Sequence, residues 1–565
     1  MAGRPAPIGN GWPVDRRRRS FGAIGWLAAR AQPWELVPEV DGAVSLRRPA
    51  VLGLLAGCTV VVAATQAGQA FVSHLPGAWY FGTPGGPLGS LAHSGRRAPL
   101  PDLVAVYGGL AALAWVWVGT CRALGQRAVA VRRVMVVVGL WALPFLVGPP
   151  LFSRDIFSYA GQGEMVSHHL DPYLYGTGVL GYTRFNVLAG PLWANTPSPY
   201  GPTFLWLDGL AAQLSGHAAL PAVVLLRLLA VGGVLLAAAG LPVLARAAGR
   251  DPGQAVLFGV GSPLVLTTLL GGGHNDALMV GLLVAGLAVA RRVGPGPGIA
   301  LCALAGGVKA PALLAVVFLG WNWWPRGGIP RRAAGVLAGT GIAIATLGAL
   351  SWLSGVGWGW VRTVGAPGKV STGVTPVDGL SEVITGAAHL AHLPLLRADV
   401  REVVAAAALA LCAVAGCWLL WHSGERGTVR SLGLALLALA LLSPILWPWY
   451  LSWGLVPLAA VARGPVRRVI TGLTVGGTLV GAGSVRHLLS TLLHGGAPGS
   501  ALLVVGVVAI AAATLAWVHR PGEMAASGYC SAKIAASSAS GSRTTGPRVS
   551  TVASRISPLK QNGAR

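Results

Sequence analysis

Charge is what this chain has least of: only 10% of its 565 residues are Asp, Glu, Lys or Arg, against about a quarter in ordinary soluble domains. With 54% hydrophobic residues and a mean hydropathy of +0.64, that deficit excludes a single soluble fold. Acidic residues are scarcer still, 17 against 42 Lys and Arg, leaving a net charge of +25. Such an excess can signal nucleic acid, but much of it sits in an N-terminal arm, with its run Arg16 to Arg19, and in the tail after His519, so no nucleic-acid partner is expected. Cysteines number six, and Cys58, Cys121, Cys302, Cys412 and Cys417 fall within or at the ends of apolar segments, where a thiol behaves as a small hydrophobe. No CxxC pair or disulfide framework is implied. A cleavable leader is not expected either, because polar and basic residues fill positions 1–48 before the first apolar run.

What is abundant is apolar sequence in runs of about 20 residues, the length that crosses a bilayer. These runs recur from Ala50 to Val518 and predict an all-α polytopic membrane protein of about 12 to 14 segments. They lie near 50–72, 103–123, 133–151, 218–245, 254–270, 276–291, 334–353, 402–421, 431–447, 450–462, 469–485 and 500–518. Arg pairs return at alternate breaks (Arg132–Arg133, Arg246 with Arg250, Arg291–Arg292, Arg331–Arg332, Arg426 with Arg430, Arg467–Arg468), the positive-inside pattern that puts both termini in the cytoplasm. The expected organisation is a basic arm over 1–48, a membrane domain over 49–519 and a tail over 520–565, the arm and tail lacking a packed core. Two loops, 152–203 and 354–400, fall on the outer face, the second carrying Lys369, Asp378 and Glu382. The stretch 298–322 has Arg on both flanks and Gly306-Gly307 and Lys309-Ala-Pro311 at its centre, so it is expected to enter and return as a re-entrant hairpin.

Four places carry residues suited to chemistry. The first is a helix expected from Arg154 to His169, with Ser153 as its cap and Asp171-Pro172 as its stop. On it Asp155, Tyr159 and Gln162 share a face, with Arg154 and Ser158 adjacent. Asp155 serves equally well as a first-turn acid that complements the helix dipole or, at the mouth of a membrane bundle, as a general base. The second is Gly271-Gly-Gly-His-Asn-Asp276, where His274, Asn275 and Asp276 either hold a ligand or cap the next span. The third is Lys309, a lysine inside an apolar stretch, costly there unless it snorkels to an interface or meets an anion such as phosphate. Arg227, inside the span 218–245, poses the same choice. The fourth is aromatic: Trp447-Pro-Trp-Tyr450, and Trp193 with Tyr200, offer faces for sugar stacking or form an ordinary interfacial belt.

Several of these runs together, Ser153-Arg-Asp-Ile-Phe-Ser-Tyr-Ala-Gly-Gln-Gly163, Leu170-Asp-Pro-Tyr173, Thr196-Pro-Ser-Pro-Tyr-Gly-Pro202, His274-Asn-Asp-Ala-Leu-Met279, Val308-Lys-Ala-Pro-Ala312 and Trp447-Pro-Trp-Tyr450, give the chain its likeness. In that order they resemble the actinobacterial polyprenol-phosphate-mannose-dependent α-(1→6)-mannopyranosyltransferases of lipomannan assembly. The resemblance covers residues of about 50 to 518. It implies a GT-C-like bundle in the plasma membrane, with an acidic residue of an early extracytoplasmic loop, here Asp155, as catalytic base. It also implies a polyprenyl-phosphate-mannose donor and a mannan or mannosyl-phosphoinositide-type glycolipid acceptor.

The residues agree with that implication. A polyprenyl phosphate departs as a stable anion and needs no general acid. What remains is a base, Asp155, and contacts to phosphate or sugar, for which Lys309, His274 and Arg154 are candidates, with Tyr159, Tyr200, Asn275, Asp276, Trp447 and Tyr450 completing the expected site. No DxD is present, so neither a metal nor another cofactor is expected. Transfer of arabinose or glucose by the same machinery stays open, as does a lipid-linked-sugar transporter or flippase. A transporter should instead show paired broken helices with ionisable groups at the midplane.

Overall fold

The computed structural model describes residues 45–67, 100–125, 128–363, 365 and 375–482. Most of the basic arm, Lys369, the expected span 500–518 and the tail lie outside the described residues. Within them every regular element is helical and no strand occurs. Labelling helices of eight residues or more in order, α1 (Arg47–Gln66), α2 (Leu100–Leu124) and α3 (Val131–Val147) form the first layer, α1 lying against both others. The loop that follows contains α4 (Asp155–Ser167) and α5 (Pro202–Leu214), packed together. Next come α6 (Ala219–Ala247), α7 (Pro252–Gly259), a π-helical turn (Val265–Gly271) and α8 (Asp276–Arg292). Then α9 (Pro295–Val308), a 3-10 turn (Ala310–Leu313), α10 (Leu314–Trp321) and α11 (Ile329–Ser354) lead to α12 (Pro376–Leu390). The last described elements are α13 (Arg397–Trp421), α14 (Thr428–Leu442), a 3-10 turn (Pro448–Leu451), α15 (Ser452–Ala459) and α16 (Gly464–Gly481).

The chain is an all-α polytopic membrane protein. Among the described residues α1, α2, α6, α11 and α13 are long and apolar enough to cross a bilayer, and the π turn with α8, bent by 112°, makes a sixth if counted as one broken span. The 12 to 14 expected were counted over the whole chain, and one of them, 500–518, lies outside the described residues; within these residues the causes of the difference are local. Helix α3 is 17 residues, with Pro144 inside it, which at 1.5 Å per residue is about 25 Å against a hydrocarbon core of about 30 Å. The expected span 254–270 is divided by Gly261-Ser-Pro263 into α7 and the π turn. The expected span 450–462 is a 3-10 turn followed by the two-turn helix α15. Short and broken helices of this kind are tolerated at membrane depth where they face protein or a water-filled cavity.

Exposure follows a lipid-facing logic. On α13, Val403, Leu409, Leu411, Val414 and Trp418 are all exposed, a patch that only a membrane or another apolar surface would cover. On α12 the usual arrangement is inverted: Asp378, Ser381 and Thr385 point inward while Leu380, Val383, Ile384 and Leu390 point out. Between α6 and α8 the backbones touch, since a Cβ on Gly281 would fall 2.1 Å from the Gly233 carbonyl oxygen. This is the small-residue contact by which membrane helices pack closely.

The expected hairpin over 298–322 is present as two antiparallel half-helices. Ile299 of α9 and Val316 of α10 both flank Gly339 of α11, and Trp323, beyond the end of α10, reaches back to Gly296 at the start of α9. Lys309 occupies the tip in an extended conformation, φ −153° and ψ 125°. The glycines there have a partner: a Cβ on Gly201 would meet the Gly307 carbonyl at 2.6 Å, so the extended Thr196–Gly201 segment passes directly over the hairpin tip. Arg227 does not snorkel. Its guanidinium donates to the carbonyls of Phe145, Gly148 and Leu270, binding α6 to the C-terminal ends of α3 and the π turn, where a cation also complements the helix dipole.

Candidate active site

The site begins where α3 ends. Leu151 donates its N–H to the Gly271 carbonyl, and Phe152 takes a left-handed conformation at φ 67°, costly for a bulky residue and a sharp enough turn to start α4 directly. The helix runs Asp155–Ser167, slightly inside the expected Arg154–His169, because His169 adopts φ 57° and the Leu170 N–H reaches the Met165 carbonyl, a Schellman-type stop. Ser153 accepts the Asp155 N–H at 3.1 Å, so it still tethers the helix start. Asp155 is thereby the first helical residue, 8% exposed, with its carboxylate in the favourable field of the N-terminus.

Against it stands His274, brought by the bend between the π turn and α8. Its Nε2 lies 3.7 Å from Asp155 Oδ2, beyond hydrogen-bond distance, and its Nδ1 lies 2.7 Å from the Thr268 carbonyl. A carbonyl only accepts, so Nδ1 carries the proton and, in the neutral ring, Nε2 is a lone pair facing a carboxylate. Nε2 is buried and has no hydrogen-bond partner. Both are acceptors, so a hydroxyl brought beside them can donate its proton to one or the other. The ring is fixed from the other side by Trp449, stacked at 3.7 Å, on which Trp447 stacks in turn at 5.0 Å.

The next residues along α8 extend the cluster. Tyr159 donates a long hydrogen bond of 3.4 Å to Asn275, while packing edge-on to Tyr200 and Phe204. Asp276, fully buried, accepts from Lys309 at 2.8 and 3.0 Å and from the Trp453 indole N–H. Lys309 Nζ in turn sits 4.3 Å from the Tyr450 ring centroid and 5.8 Å from that of Tyr200. One circuit of contacts, closed through Asn275, Asp276, Lys309, Tyr200 and Tyr159, thus takes in Asp155 through His274 and Tyr450 through Lys309, and Trp447 reaches it through Trp449. Arg154 lies half-buried at the head of α4, its guanidinium beside Gly190 of the loop.

The sequence reading took Trp449 only as part of the aromatic run Trp447-Pro-Trp-Tyr450 and did not single out Trp453 or Thr268. The signal for Trp453 was available: it is three residues after Tyr450, one helical turn away, and its ring stacks on Tyr450 at 4.3 Å. Thr268 left no signal, because its contact is a main-chain carbonyl. A polar chain also escaped notice, Ser198 donating to Gln162 at 2.8 Å and Gln162 to Ser158 at 3.2 Å. It ties the extended Thr196–Gly201 segment to α4, and Thr363, from the second loop, donates to the Ser198 carbonyl at 2.7 Å.

Comparison with known proteins identifies the family. Residues 50–325 match the family described as alpha-(1->6)-mannopyranosyltransferase, N-terminal domain, and residues 378–520 match the MptB C-terminal domain. A probable alpha-(1->6)-mannopyranosyltransferase of Mycolicibacterium smegmatis is 33% identical over 406 residues, 65% of this chain and 71% of that protein. The chain belongs to this family of glycosyltransferases. An alpha-(1->6)-mannopyranosyltransferase of Mycobacterium tuberculosis is 32% identical over 446 residues, covering 67% of this chain and 74% of the relative. Alpha-(1->6)-mannopyranosyltransferase B of Corynebacterium glutamicum is 28% identical over 447 residues, 73% of each chain. No solved structure matches. Every residue of the contact circuit before position 325 falls within the first matched region, and Trp447, Trp449, Tyr450 and Trp453 fall within the second, so both matched regions contribute to one cluster.

Proposed function

We propose that this protein transfers mannose from polyprenyl-phosphate-mannose to a mannan or mannosyl-phosphoinositide-type glycolipid, forming α-(1→6) linkages with inversion on the outer face of the plasma membrane. The family supports the sugar and the linkage. The observation that carries the mechanism is the buried Asp155 carboxylate facing the partnerless Nε2 of His274 across 3.7 Å.

The acceptor O6 hydroxyl comes to lie beside that pair and donates its proton to Asp155. As its oxygen attacks the anomeric carbon, the O6–H proton passes to Asp155 and the bond from the anomeric carbon to the phosphate oxygen breaks. Polyprenyl phosphate leaves with the bonding pair and needs no proton. A β-linked donor displaced in line gives the α product. Lys309 stabilises the departing phosphate. Asp276 uses two of its three N–H directions and leaves one for the ligand. Trp447, stacked on Trp449, supplies a sugar-facing wall, and Arg154, at the head of α4, is a further cation for the phosphate. The GT-C-like architecture rests on the family resemblance, and the outward orientation on the Arg pairs at alternate breaks.

The test is mannosyl transfer by membranes from a polyprenyl-phosphate-mannose donor to a short α-(1→6)-linked mannoside. Asp155→Asn keeps the shape and removes the base, so transfer should fall by about 10²- to 10⁴-fold. Wild-type transfer by a normally expressed Asp155→Asn protein would remove Asp155 from the mechanism.

A further inference from the structure

At the far end of α4 from Asp155, a second polar cluster is built from residues that the transfer reaction does not use. Glu164 Oε1 lies 3.0 Å from His168 Nε2, and Glu164 Oε2 lies 2.9 Å from His217 Nδ1. One donor atom from each of the three residues falls within 4.8 Å of the others, and the two imidazole rings are 5.2 Å apart. We propose that Glu164, His168 and His217 bind a divalent transition-metal ion of the zinc class, which fastens the C-terminal end of α4 to the turn between α5 and α6.

The donor set is the first argument. Two imidazoles and one carboxylate with an open fourth position form a familiar zinc shell. Zinc bonds of about 2.0 to 2.2 Å in a tetrahedron separate neighbouring donors by about 3.3 Å. The two carboxylate–imidazole separations, 3.0 and 2.9 Å, lie a few tenths of an ångström inside that value, and the remaining donor separations, all within 4.8 Å, would close onto the ion.

Access is the second. The Glu164 side chain is 10% exposed, whereas those of His168 and His217 are 56% and 46% exposed, so a buried carboxylate anchors the site and both imidazoles meet the solvent through which an ion and its water would arrive.

Local backbone is the third. Glu164 and His168 are four apart on one helix face, and His217 follows Gly216, both in the left-handed region at φ 58° and 62°, a sharp turn that brings its ring over α4 from a different element. The site joins segments 53 residues apart in sequence. Glu164 is nine residues from Asp155, about 13 Å along the helix, so the ion is remote from the donor phosphate and acts by holding α4 in place. The missing DxD therefore has no bearing on it.

The experiment uses the full-length chain in detergent, purified through a tag without histidine, equilibrated with zinc, washed, and assayed for metal by mass spectrometry. Wild type and His389→Gln, an exposed histidine of α12, should each retain close to one zinc ion per chain, and His168→Gln/His217→Gln and Glu164→Gln should retain essentially none. In wild type alone, zinc should raise Tm and EDTA should reverse the rise, a readout that survives if a variant misfolds. Zinc-free wild type, or equal retention by the double variant, overturns the proposal and leaves a Glu164 carboxylate hydrogen-bonded to two imidazoles.

Discussion

Lys309 and Asp276 form a buried ion pair in which the ammonium lies 2.8 and 3.0 Å from the two carboxylate oxygens, with Asp276 fully inaccessible to solvent. The pair joins the tip of the α9–α10 hairpin to the first turn of α8, so it fixes the geometry of the site as well as its charge. Burying both charges is costly, and the cost is offset only while each has the other, together with the Trp453 indole that also donates to Asp276.

That arrangement predicts a separation of structure from function. Lys309→Met leaves an uncompensated buried carboxylate and should cost about 3 to 5 kcal/mol of stability. Lys309→Met/Asp276→Asn removes both charges and keeps an acceptor for Trp453, so thermal unfolding should recover most of the loss. Mannosyl transfer should remain impaired in both variants, because the cation facing the donor phosphate is gone from both. Wild-type transfer by the double variant would make Lys309 a structural residue only.

Much of this site was legible before the structure, and for identifiable reasons. Asp155, His274, Asn275, Asp276 and Lys309 are polar residues in an apolar chain, and such residues stand out because a membrane protein keeps few of them. The break at Gly306-Gly307 with Lys309 likewise announced the hairpin. The span count was less legible, because hydropathy registers apolar composition, whereas Gly148-Pro-Pro150, Gly261-Ser-Pro263 and Pro448 cut apolar stretches into helices shorter than a bilayer. Arg227 also misled. Snorkelling competes with helix capping, and only the fold shows that carbonyls of Phe145, Gly148 and Leu270 converge on its guanidinium. Glu164, His168 and His217 come from separate elements, a juxtaposition that spacing along the chain does not reveal.

The stack of His274 on Trp449 and of Trp449 on Trp447 predicts a graded effect of ring size. Trp449→Phe preserves an aromatic face and should retain most transfer, whereas Trp449→Ala forfeits roughly 0.5 to 1.5 kcal/mol of ring packing and frees the imidazole to turn away from Asp155. The expected loss for alanine is about tenfold or more in kcat, given that small misplacements of catalytic groups are costly. Steady-state kinetics on purified variants would check this. Equal kcat for the two variants would mean that Trp449 does not position His274.

Asp208 gives the fold a pH dependence of definite sign. It lies on α5, outside the helices long enough to span, and is 1% exposed with neither carboxylate oxygen hydrogen-bonded, so burial raises its carboxyl well above the usual carboxylate range. The cause is the packing of α4 on α5, since a Cβ on Gly163 would fall 2.2 Å from the Asp208 carbonyl oxygen. With the folded value raised, the folded chain holds a proton that the unfolded chain releases near pH 4. The folded state therefore binds more protons over that window. Its contribution to stability is complete below the unfolded value and is lost as pH rises through the folded one. Asp208→Asn cannot titrate, so its Tm in detergent should exceed that of wild type at about pH 8, and the difference should shrink as the pH falls toward about 5. A difference that stays constant across this range would mean that Asp208 titrates alike in the folded and unfolded chains.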